Sequence, residues 1–87
     1  MTEQLVVRVS TQRHIAGAVV GVLGVGVADG GLFARFGVST PQGRVRETLR
    51  IGDALEVAGL GTVTLVDVTL GGAGGRGAAA FEVERRA

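Results

Sequence analysis

The chain has 87 residues, no Cys, Trp or Tyr, no Lys or Asn, and a formal net charge of +1. That length holds one domain (residues 1–87) with a modest core, since a chain this size buries only about 60–65% of its unfolded surface. Without cysteine there is no disulfide framework, zinc finger or thiol nucleophile, and without lysine no Schiff base and no phosphate-loop lysine. A near-balanced charge does not argue for nucleic acid, although all nine basic residues are Arg.

Residues 5–11 alternate, with Leu5, Val7 and Val9 on one face and Val6, Arg8 and Ser10 on the other, which predicts a half-buried strand. Gln12, Arg13 and His14 read as a polar connection. Ile15 to Ala28 follows without a single charge and with five valines, a residue whose stiff χ1 favours strands. A signal-peptide reading, with Gly26-Val27-Ala28 as a cleavage site, conflicts with the strand-like residues where a basic n-region should stand. A membrane helix needs about 20 apolar residues, and this run has fourteen. It is therefore expected to be one long strand, residues 15–28.

Asp29-Gly30 is the strongest short hairpin signal in the chain, because both central positions of a type I′ turn need positive φ. A two-residue turn there sets Val27 against Leu32, Val25 against Ala34, Leu23 against Phe36 and Gly21 against Val38, all apolar and so the expected core face. The other face sets Gly26 against Phe33, a ring covering a bare glycine, and Gly24 against Arg35. Ala18, Val20 and Val22 fall on that second face, where nothing in so small a chain is available to cover them.

The turn at Thr40-Pro41-Gln42-Gly43 has a register chosen by burial, because a one-residue slip would move every side chain to the other face. It pairs Val38 with Val45, Ala34 with Leu49 and Leu32 with Ile51, and sets Glu47 against Phe36. Strand-edge exposure or an arginine partner accounts for Glu47 more simply than catalysis does. Gly52-Asp53 turns into a short strand at Leu55–Val57, and Gly59-Leu60-Gly61 turns again into Thr62–Leu70. There the apolar phase shifts between Leu65 and Val66, which predicts a bulge or a strand covered on both faces. Residues 71–77 read as a flexible loop. Ala78–Glu84 is a last strand with Ala79, Phe81 and Val83 inward and Ala80, Glu82 and Glu84 outward. No helical period persists, so the expected fold is all-β, a small antiparallel barrel or two-sheet sandwich of about six or seven strands with no substantial helix.

The segment from Arg44 to Val68, with Leu49-Arg50-Ile51-Gly52-Asp53, the short strand around Val57, its glycines, and then Leu65 and Val68, resembles an uncharacterised family of small actinobacterial domains. The resemblance implies a β-rich domain of about this length and carries over no catalytic residue, cofactor or ligand.

Chemistry-bearing residues are few. His14 is the one histidine, so no multi-histidine metal site exists within one chain. It could join Ser10 or Ser39 and Asp29, Asp53 or Asp67 in a catalytic trio, but no nucleophile-elbow motif supports this. Gly24-Val25-Gly26 and Gly71–Gly77 lack the rest of any nucleotide-binding pattern. No cofactor or metal is expected. The better lead is an arginine stripe: the register projects Arg35, Arg44, Arg46 and Arg50 from one face, beside Phe33 and over a low floor of Gly24, Gly26 and Gly37. Guanidinium forks suit carboxylates and phosphates, and an arginine over Phe33 would gain about 0.5–1 kcal/mol. With one aromatic there, single-stranded nucleic acid lacks its stacking ladder and is not an expected partner.

Three functional readings follow. The first is a cytoplasmic, non-catalytic assembly module, a homo-oligomer that self-associates through Ala18, Val20 and Val22. The second is a binding module for an anionic ligand or acidic partner through the arginine face. The third is a small enzyme using His14.

Overall fold

Valine-rich alternation, punctuated by residues that accept positive φ, folds this chain into strands throughout. A computed structural model describes residues 2–71 and 76–85. The strands are β1 (Thr2–Arg8), β2 (Gln12–Ile15), β3 (Ala18–Ala28), β4 (Gly31–Thr40), β5 (Gly43–Arg50), β6 (Ala54–Val57), β7 (Gly61–Thr69) and β8 (Ala78–Arg85). They form two four-stranded antiparallel sheets: sheet A in the order β1-β8-β7-β6 and sheet B in the order β2-β3-β4-β5. The fold is the expected all-β class, as a two-sheet sandwich. Among the described residues no helix is long and apolar enough to cross a membrane.

The inner faces of the two sheets share one core, in which Val7, Phe36, Val63, Leu65, Phe81 and Val83 are fully buried. The Phe36 and Phe81 rings meet across it with centroids 4.9 Å apart and planes tilted by 49°. Leu5 and Val7 face inward on β1 while Val6 is exposed, and Ala79, Phe81 and Val83 face inward on β8, both as the alternation predicts.

Eight strands appear where six or seven were expected, because Gln12 to Ile15 is an edge strand and not a connection. The chain then reverses at Ala16 (φ 50°) and Gly17 (φ 81°), so residues 15–28 are not one strand. Two small residues inside an apolar run concealed that turn. Asp29 (φ 51°) and Gly30 (φ 76°) make the predicted hairpin, and its register holds from Ala28–Gly31 to Gly24–Arg35.

There the expectation fails. The register shifts between Val22 and Gly24, so Val22 and not Leu23 lies opposite Phe36, and Val20 lies opposite Val38. Leu23 is the extra residue of a β-bulge and is 52% exposed, whereas Ala18, Val20 and Val22 are each 1% exposed. The residues proposed as a self-association surface are therefore core. The physical reason is burial. Apolar side chains occupy one parity before the bulge and the other after it, and a bulge turns both sets inward at the expense of one leucine. Val27 keeps its predicted parity but stands next to the hairpin turn, beyond the packed core, and is 57% exposed. The bulge expected near Leu65 is present between Leu65 and Asp67, leaving Val66 outside.

The two bulges occupy equivalent places in a two-fold internal repeat. The half β1–β4 and the half β5–β8 have the same strand order, and exchanging them maps sheet A onto sheet B. Each first strand crosses to the sheet of the other half: β1 pairs with β8, and β5 with β4. Two hydrogen bonds recur at the corners of the two halves. Thr11 N donates to Arg8 O and Asp53 N to Arg50 O, while Ser10 N donates to Val22 O and Gly52 N to Leu65 O. Ser10 and Gly52 both have positive φ, and Phe36 and Phe81 stand at equivalent positions.

The expected loop at 71–77 falls mostly on residues 72–75, outside the described residues. Its C-terminal end is closely held. Val9 N donates to Gly77 O at 3.0 Å, Gly77 has φ 89°, and a Cβ there would lie 2.6 Å from Thr69 O and 2.8 Å from Val25 Cγ2. Gly77→Ala should therefore destabilise the domain by about 1–3 kcal/mol, read as a lower urea midpoint at unchanged slope. An unshifted midpoint would show that this corner yields freely.

Candidate functional site

Along β4 and β5 the side chains alternate strictly, because no bulge interrupts that pair: Phe33 lies opposite Arg50, Arg35 opposite Thr48, Gly37 opposite Arg46 and Ser39 opposite Arg44. The residues that alternate with them along the strands include the buried Ala34, Phe36, Val38 and Leu49, so Phe33, Arg35, Arg44, Arg46 and Arg50 all stand on the outer face of sheet B. The sequence-derived stripe is thus assembled as expected. β3 and β2 extend the same rows, with Gly21 beside Gly37 and Gln12 beside Gly21.

The row Gln12–Gly21–Gly37–Arg46 forms a trough. A Cβ on Gly21 would lie 3.4 Å from Gln12 Cγ, and one on Gly37 would lie 3.6 Å from Arg46 Cγ, so the stems of Gln12 and Arg46 lean over the two glycines as walls. The adjacent row adds Ser39 and Arg44, and Leu23 on its bulge closes one side. The resulting groove holds about 380 Å³ and is also lined by Val19 and Val45. Further along, the Phe33 ring covers Gly26, where a Cβ would meet Phe33 Cζ at 2.8 Å. The glycine floor thus includes Gly21, which the straight-strand register had assigned to the core face.

Arg50 departs from the expected stacking on Phe33. Its Nη2 donates to Asp29 Oδ2 at 3.1 Å in an exposed ion pair that ties the β5 end to the hairpin turn. The only other ion pair among the described residues joins Arg85 to Glu3 at 3.1 Å. Arg35, Arg44 and Arg46 accordingly carry no acidic partner on this face. Glu47 takes its predicted position opposite Phe36, at the exposed edge of sheet B.

The catalytic alternatives do not come together. His14 is exposed on β2, in the row of Val19, Ser39 and Arg44. Ser39 is two strands away, about 10 Å at the ordinary strand spacing, too far for a hydrogen bond. Ser10 lies at the β1–β2 corner. Asp29 holds Arg50, Asp53 Oδ2 accepts from Arg50 N at 3.0 Å, and Asp67 Oδ1 accepts from Val68 N at 2.9 Å, so each candidate acid has a structural engagement away from His14. Among the described residues no cluster of three or more His, Cys, Asp or Glu could hold a metal.

Comparison with family models, curated proteins and solved structures finds no match. A functional reading therefore rests on the geometry of this face.

Proposed function

We propose that this protein is a non-catalytic interaction module that receives a carboxylate-bearing partner on the outer face of sheet B. The observation that carries this reading is the placement of Arg35, Arg44 and Arg46, all without acidic partners, around a trough floored by Gly21 and Gly37. Bare glycines let a partner's backbone or carboxylates approach the sheet while guanidinium forks reach them from the side. The groove is open and shallow, so the chemistry is that of a docking surface and not of an enclosed small-molecule pocket. Solvent-exposed pairs of this kind contribute about 0.2–1 kcal/mol each, so affinity depends on several arginines acting together and weakens with salt.

Fluorescence anisotropy with labelled poly-L-glutamate tests the reading. Wild-type protein should bind at low ionic strength and release the probe as salt rises. Arg44→Glu with Arg46→Glu should weaken binding at least about tenfold, equivalent to roughly 1.4 kcal/mol. Arg8→Glu with Arg76→Glu changes the net charge equally but lies off this face, and should have a much smaller effect. Equal loss in both pairs would reduce the effect to net charge and remove the proposed face.

A further inference from the structure

The internal repeat gives sheet B a counterpart, and that counterpart carries the opposite charge. On the outer face of sheet A, Glu84 lies between Thr2 and Thr62, and Glu82 between Gln4 and Thr64. These rows correspond, under the exchange of halves, to the rows containing Ser39 and Gly37 on sheet B. Where face B has a glycine floor flanked by Arg44 and Arg46, face A has a ridge of two carboxylates in a shallow groove of about 190 Å³ lined by threonines. Glu84 accepts a hydrogen bond from Thr2 Oγ1 at 3.1 Å, and neither glutamate is in an ion pair. Asp67, on the same outer face, adds further negative charge, and Arg8, in the end row with Ala78 and Thr69, offsets one of these charges and leaves the face net acidic.

Resting on the reading of face B as a carboxylate-binding surface, we infer that its partner is face A of a second copy of this chain, so that copies stack head to tail. Three observations favour this occupant. The charges are complementary between unlike faces and repulsive between like ones, which disfavours a closed two-fold dimer and favours a heterologous contact. Both faces belong to the same scaffold, so their strand spacing and twist match when one sheet lies on another at the usual distance of about 10 Å. Three exposed large apolar side chains also stand on these faces or at their bulges: Leu23 on face B, and Val6 and Val66 on sheet A, at 52%, 55% and 36% exposure. Four strands of about eight residues present roughly 500 Å² per copy. The doubled area is at the low end for a specific interface, so the contact is transient and salt-sensitive.

Sedimentation velocity on the full chain tests the inference. At low ionic strength the average mass of wild-type protein should rise with concentration beyond that of a dimer, and at high salt it should return to the 8.8 kDa monomer. Arg44→Ser with Arg46→Ser, and separately Glu82→Gln with Glu84→Gln, should each remain monomeric, with circular dichroism matching the wild type. Mixed together, the two variants should form a one-to-one complex of twice the monomer mass and nothing larger, because each retains one competent face. A mixture that stays monomeric, or association that persists in either variant alone, overturns the head-to-tail contact. A wild-type chain that binds poly-L-glutamate yet stays monomeric up to millimolar concentration overturns this inference and leaves the carboxylate-binding reading standing. Failure in both assays removes both.

Discussion

Val20→Asp should unfold this domain, while Leu23→Asp, three residues away, should leave it folded. Val20 is 1% exposed between Ala18 and Val22 on the inner side of sheet B, and Leu23 is 52% exposed at the bulge. Removing the valine forfeits about 1.5–3 kcal/mol of apolar burial. An unpaired carboxylate in the core adds several kcal/mol more, or forces the group to take up a proton. A domain of this length has a total stability of about 4–13 kcal/mol, so the variant should lose its cooperative thermal transition. The Leu23 substitution falls on the surface, where effects usually stay within about 0.5 kcal/mol, and its melting temperature should change by a few degrees at most. Far-UV circular dichroism on both variants decides the matter. The reverse outcome, with Val20→Asp folded and Leu23→Asp unfolded, would mean that the strand runs straight and that the bulge is absent.

Phe36→Ala should lower the melting temperature by at least about 12 °C. The expected loss is about 3–5 kcal/mol for emptying a fully buried ring site, and each kcal/mol corresponds to roughly 4–8 °C in a domain of this size. Phe81→Ala should cost about the same, since the two rings are fully buried and meet at 4.9 Å. Because each ring packs on the other, the double variant should lose less than the sum of the two, with a coupling of about 0.5–1.5 kcal/mol. Guanidinium chloride titration of the four proteins at one temperature gives that coupling. Strict additivity would mean that the rings do not support one another, and the two halves would then lack the central contact that joins them.

Much of the candidate site was legible because it lies on β4 and β5, where apolar and charged residues alternate without interruption. The turn chemistry of Asp29-Gly30 and the burial argument at Pro41-Gln42 place Arg35, Arg44, Arg46 and Arg50 on one face, and the structure agrees. The acidic counterface was legible residue by residue, since Glu82 and Glu84 alternate with Phe81 and Val83. Its relation to the arginine face was not. Alternation alone misplaces positions 18, 20, 21 and 22 for one reason: Val22 and Leu23 are both apolar, so a phase change between them leaves no mark in the pattern. In the 62–70 segment the comparable shift is visible, because Thr64 and Asp67 label the outer face.

The sequence by itself determined the all-β class, the central hairpin and its first register, the inward set of the last strand and the arginine stripe. Each of these follows from local chemistry: side-chain alternation with period two, residues that tolerate positive φ, and stiff valines. Only the tertiary structure decided which valines of the 15–28 run form the core. That choice depends on a second sheet arriving from the other half of the chain, and its apolar face, with Phe81 at the centre, makes one leucine worth exposing so that Ala18, Val20, Val22 and Val25 can turn inward. The internal repeat was likewise hidden. Its halves share strand order, corner hydrogen bonds and bulges, but the turn at Ala58–Leu60 is one residue longer than the turn at Ala16–Gly17, which breaks a constant sequence spacing. From that repeat comes the feature local patterning could not supply, two matching outer faces of opposite charge on one small sandwich.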